Sequence, residues 1–161
     1  MADPFEQKLP PLSPHIAVSD ANAAIEFYKK AFGATELHRH MAPDGKRIMH
    51  AALQVNGGIL MLNDEFPEYT GGKSSTPEAL GGTPVTLHLQ VTDADSVFNQ
   101  AVAAGATVKF PLMDQFWGDR YGQVKDPFGH AWSIGSPIKK MTSEEVEQAA
   151  KKQFARADSK M

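Results

Sequence analysis

The chain has 161 residues, 42% of them hydrophobic and 22% charged, ordinary values for a soluble globular protein long enough to bury one real core or two small modules sharing one. A formal charge of −3 offers no phosphate-seeking surface, so a nucleic-acid partner is not expected. With no cysteine there is no disulfide and no thiolate nucleophile or ligand, which leaves His, Asp, Glu and Ser for any chemistry.

In chain order, the first eight residues, MADPFEQK, lack the basic start and apolar centre of a signal peptide. No apolar run approaches the ~20 residues of a membrane span. A cytoplasmic location without membrane contact is therefore expected. The stretch PHIAVSD (14–20) reads as a short strand followed by a helix N-cap, because the Asp20 carboxylate can accept from the free amides of a first turn. Ile25, Tyr28 and Phe32 recur at helical spacing, and Gly33 stands at the stop, where a left-handed residue is favoured. Strand-like runs follow at 34–41, 46–55 and 59–64, separated by Asp44-Gly45 and Asn56-Gly57 turns.

The stretch LHLQVTD (87–93) begins the same pattern again. His15 and His88 lie 73 positions apart, as do Asp20 and Asp93, while Gly33 and Gly105 lie 72 apart. The second helix carries Val97, Ala101 and Ala104, and strands are expected at 106–110, 119–125 and 130–135. The chain is thus an α+β protein of two tandem βαβββ modules forming one domain over 10–137, with module 1 at about 12–64, a linker at 65–84 and module 2 at about 85–137. The linker, rich in Gly, Pro, Ser and Thr, is either a mobile lid or a crossover. Residues 138–161 form a helical tail that opens with a capping box, Thr142 to Glu145, and packs on the domain edge or on a partner subunit.

Strand alternation sorts the faces. Val85, Leu87, Leu89 and Val91 face a helix, leaving Thr86, His88 and Gln90 opposite. In the first module Ile16 and Val18 face the helix, as do Met49, Ala51, Leu53 and Val55. Ser13, His15 and Ala17, with His50, Ala52 and Gln54, are left on the other face; the repeat pairs His50 with Tyr121 and Gln54 with Lys125. Two such sheets curling toward each other would enclose a semi-polar pocket lined by His15, His50, His88 and Tyr121, the alternative being an open, solvated face. Trp117 is a candidate wall, Trp132 falls in the core, and Arg120 is expected on the helix side, neutralised by Asp119 or Asp126. Asp126 and Gly129 bracket a β-turn. His38 and His40 share a strand face with Glu36 and are read as solvated, and His130 is given no role.

The stretches VSDANAAIEFYKKAFGA and DPFGHAWSIGSP, together with the duplication, resemble the vicinal oxygen chelate superfamily of glyoxalases, bleomycin- and fosfomycin-resistance proteins and extradiol dioxygenases. The passage FWGDRYGQVKDPFGHAW is more narrowly similar to the PhnB-like subgroup. The resemblance implies a glyoxalase/bleomycin-resistance fold, a homodimer and a metal held at four positions. Counting back from Asp20 and Asp93 places the opening-strand ligands at Ser13 and Thr86; counting on from Gly58 and Gly129 places the closing ligands at Leu62 and Ser133. None is an imidazole or a carboxylate, so no metal or other cofactor is expected there. The expected function is metal-independent binding of a small molecule by His15, His50, His88, Trp117, Tyr121 and Ser133, with no residue assigned a catalytic role. Two alternatives stand beside it: a metal-dependent lyase, isomerase or dioxygenase with a displaced site on His15 and His88, aided by His50, and a structural or regulatory dimer whose cavity its own side chains fill.

Overall fold

The computed structural model describes residues 9–161; the MADPFEQK stretch read for a leader lies outside the described residues. The first module runs β1 (His15–Val18), α1 (Ala21–Phe32), β2 (Thr35–Met41), β3 (Ile48–Val55) and β4 (Gly58–Asp64). Its sheet has the order β1-β4-β3-β2, with β1 parallel to β4 and the other pairs antiparallel. The second module repeats this with β5 (Thr86–Gln90), α3 (Ala94–Ala104), β6 (Thr107–Asp114), β7 (Asp119–Lys125) and β8 (Ala131–Pro137), in the order β5-β8-β7-β6. Both helices start and stop where expected. Asp20 accepts from the Ala23 amide at 3.0 Å and Asp93 from the Ser96 amide at 3.1 Å. Gly33 closes α1 in the left-handed region at φ 65°.

α1 and α3 pack against one another, and both sheets turn their apolar faces to this helical pair. One core results, running from Val18, Leu53 and Leu62 through Tyr28 and Phe98 to Val124, Trp132 and Ile134. Trp132 is in it, as expected. Asp126 does far more than bracket a turn. Fully buried, it accepts from Tyr28 Oη at 2.6 Å, from Trp132 Nε1 at 2.9 Å, and from the amides of Phe128 and His130. His130, given no role from the sequence, donates from Nε2 to the Ala17 carbonyl of the other module at 2.8 Å.

The segment after β4 is a crossover held to the domain. It forms a 3₁₀ turn (Pro67–Tyr69) and a short helix α2 (Pro77–Leu80), with Thr76 and Pro77 buried. Glu65 accepts from the Ser74 hydroxyl and the Ser75 amide, both at 2.6 Å. Pro77 lies so close to Gly129, itself at φ +89°, that a Cβ there would sit 2.8 Å from the proline ring. The tail forms α4 (Ser143–Asp158) behind the expected capping box, and none of its residues is buried in the single chain. No helix among the described residues is long and apolar enough to cross a membrane.

Candidate functional site

Two bulges decide what the first sheet presents. Glu36 pairs with Leu53, but His38 pairs with Ala52, so Leu37 is an extra residue that reverses the alternation. Glu36 therefore joins the helix-side set, where it meets Arg39 at 2.8 Å and Lys29 at 3.0 Å; the Arg39 hydrogen bond is the main reason its carboxyl is held below the ordinary range. His38 and His40 turn to the opposite face, correcting the expectation that they share one with Glu36. A second irregularity places His40 opposite His50 and Met41 opposite Ile48, leaving Met49 unpaired and 54% exposed. Ile48 takes the core place expected for Met49, and its amide donates to buried Asp64.

The polar face of the first sheet consequently gathers four histidines. His38 Nε2 and His50 Nδ1 are 3.0 Å apart, a hydrogen bond that requires one ring to donate and the other to accept. His38 stacks between His40 at 4.9 Å and His50 at 5.1 Å, and His15 meets His50 edge-on at 5.5 Å. Burial, then the neighbouring His40, holds the His38 ring below the ordinary histidine value. His50 is lowered by burial and then by His38, His15 and His40. His38 and His40 belong to the site although the sequence assigned them to solvent; only foresight of the Leu37 bulge would have placed them here.

The second sheet carries a different constellation. Gln90 Oε1 lies 2.8 Å from His88 Nε2, which fixes the proton on that nitrogen, so in the neutral ring Nδ1 accepts from the buried Ser133 hydroxyl at 2.7 Å. Tyr121 stacks on His88 at 6.1 Å and meets Trp117 edge-on at 5.4 Å, while Gln123 donates to the Tyr121 hydroxyl at 2.8 Å. Trp117 Nε1 donates to Asp119 at 3.2 Å. Phe110 pairs with Gln123 and Met113 with Tyr121, which adds two half-exposed apolar side chains to the same face. Gln90 and Gln123 were legible from alternation, since they share parity with His88 and Tyr121. Arg120 is ion-paired as expected but with other partners: Asp95 at 2.7 Å and Asp114 at 2.9 Å, in place of Asp119 or Asp126.

Within the single chain the expected pocket is not formed. Because the helices lie between the modules, the polar sheet faces point away from the shared core instead of converging. A cleft of about 460 Å³ at the module junction is lined by Pro14, Leu60, Thr86, His88 and Trp132 among others, but not by His15, His50 or Tyr121. The displaced site built on His15, His88 and His50 is not assembled either: His15 adjoins His50, whereas His88 is engaged by Ser133 and Gln90 on the other sheet.

The four positions that the family resemblance assigns to a metal do not fit one. Ser13 has a buried hydroxyl with no hydrogen-bond partner among the described residues. Leu62 is fully buried on the helix side. The turn glycine that matches Gly129 (φ 89°) is Gly57 (φ 81°), so the equivalent of Ser133 is Met61, which pairs with His15 as Ser133 pairs with His88. Two serines, a threonine and a thioether lack the imidazole or carboxylate such ions need.

The model of the Glyoxalase/Bleomycin resistance protein/Dioxygenase superfamily matches residues 9–134. An uncharacterized protein of Mycobacterium bovis, Mb0911c, is 57% identical over 144 residues, covering 89% of this chain and 94% of the relative. Among solved structures, TioX from Micromonospora sp. ML1 superposes with a TM-score of 0.61 at 32% identity, covering 79% of this chain and 98% of its own. The PhnB protein from Bacillus cereus shares the fold, with a TM-score of 0.62 at 18% identity over 79% of this chain and 99% of its own.

Proposed function

Since the chain belongs to the glyoxalase/bleomycin resistance/dioxygenase superfamily, we propose that it is a cytoplasmic small-molecule binding protein that needs no metal at the family's four positions and holds a planar, polar ligand on the face of its second module. The observation that carries this is the connected surface Trp117–Tyr121–His88, backed by Ser133, Gln90 and Gln123. Aromatic faces give a flat molecule contact area without much ordering cost, and the amides and hydroxyls fix its orientation. The residues here bind and orient: the Ser133 hydroxyl that donates to His88 is buried, and the family-position set Ser13, Met61, Thr86 and Ser133 supplies no electrophile for an oxyanion. Both polar faces are open in the single chain, so we propose a homodimer in which a second copy covers them.

The test is ligand-observed NMR with a library of planar heteroaromatic fragments in excess EDTA, alongside sedimentation velocity for the dimer. Fragments are expected to bind the wild-type chain and to lose contact in His88→Ala and Trp117→Ala, with His38→Ala unaffected. Absence of any binder, or binding indifferent to both substitutions, overturns the reading.

A further inference from the structure

We propose that His38, His40 and His50 form a site for one divalent transition-metal ion of the zinc class, with a coordination position left open. Each of the three rings offers one nitrogen, and these nitrogens all lie within 4.8 Å of one another. Tetrahedral coordination at the usual zinc–nitrogen length places ligand nitrogens roughly 3.3 Å apart, so each pair has to close by no more than about 1.5 Å when the ion binds.

The backbone already sets the constellation. His38 and His40 are two apart on one strand and share a face. His40 and His50 stand directly opposite each other across the β2–β3 ladder, where side chains are nearest. His15, edge-on to His50, restricts the rotation of that ring. All three ligands are half-buried, open enough for an ion to enter and enclosed enough to hold their rotamers.

Three neutral imidazoles suit zinc, copper, nickel or iron and disfavour calcium and magnesium, which want oxygen. With no anionic group among the three, the bound ion keeps its double charge, so the open position favours water, hydroxide or an anionic oxygen of a ligand. Three protein ligands and one open position is the arrangement of catalytic zinc sites, whereas structural sites are closed by four. The site shares no residue with the family positions Ser13, Met61, Thr86 and Ser133, and it lies on the other sheet from the His88–Tyr121 surface. It stands or falls separately from the ligand reading, which is tested in EDTA.

The experiment takes chelator-stripped full-length protein and titrates it with Co²⁺, read by visible d–d absorption, and with Zn²⁺, read by competition with a chromophoric chelator. One ion per chain is expected, with a low-symmetry cobalt spectrum. His38→Ala, His40→Ala and His50→Ala are each expected to weaken binding roughly 100-fold or more, and His88→Ala to leave it unchanged. His38→Gln, which keeps polar volume in the sheet, is expected to lose the ion too, while circular dichroism and thermal unfolding verify that each variant is folded. Failure to take up one equivalent, uptake indifferent to the three substitutions in folded protein, or equal loss on His88→Ala overturns the proposal.

Discussion

His50 hydrogen-bonds His38, adjoins His15 and faces His40 across the ladder, so protonating it places a charge among three other imidazoles. Both His38 and His50 are held below the ordinary value of 6.5, first by burial and then by their neighbours. A histidine lowered in this way takes its proton at a lower pH in the folded chain than in the unfolded one. As pH falls below about 6.5 the unfolded chain binds more protons, and stability drops; above that value the neutral cluster is fully compatible with the fold. Metal-free protein should therefore lose thermal midpoint between neutral pH and pH 5. His50→Gln should flatten that slope relative to wild type by removing one lowered group and the N–H···N requirement it places on His38. Equal slopes in the two proteins would show that the cluster is not linked to folding.

At the scale of elements, strand and helix identity was legible because short-range physics sets it. Asp20 and Asp93 are caps, Asn56-Gly57 is a turn with Asn56 at φ 49°, and alternation correctly put Leu89, Val18 and Leu53 in the core. Face assignment failed where a strand carries an extra residue. The bulge at Leu37 moved Glu36 and His38 to opposite faces, and the unpaired Met49 moved Ile48 inward, so the histidine cluster was illegible although every histidine was visible. Register is set by pairing with a neighbour, and one sequence does not reveal where a neighbour skips a residue. The tail helix is the converse case, with a correct local signal and no packing to match. α4 has no buried residue, and Phe154 is 68% exposed. Deleting residues 143–161 should change the urea-unfolding free energy of the domain by no more than about 0.5 kcal/mol. A larger loss would mean that the helix packs on the folded domain in solution.

The duplication shapes the whole molecule through the way its halves are joined. Each module keeps a sheet with one apolar face, and α1 against α3 turns two half-cores into one. That same packing sends the polar faces outward, which is why one shared pocket was a reasonable expectation from two matched strands and is not what the chain forms. One bond that ties the halves is Tyr28 to Asp126, 98 residues apart in sequence and buried at both ends. Burial and the adjacent carboxylate push the Tyr28 phenol well above its ordinary range, so it remains a donor throughout the working pH range. Asp126→Ala would strand four donors at once: the Tyr28 hydroxyl, the Trp132 indole and the amides of Phe128 and His130. The expected cost is about 3–5 kcal/mol, whereas Tyr28→Phe, which removes one donor from a carboxylate that keeps three, should cost about 1–2 kcal/mol. Urea unfolding followed by Trp fluorescence and by far-ultraviolet circular dichroism distinguishes two outcomes. If the halves share one core, both probes shift together in Asp126→Ala, because the module without Trp132 loses its footing on the helical layer too. Two separated transitions, with the circular dichroism of one module surviving, would show that each βαβββ unit is stable alone and that Asp126 fastens two independent domains.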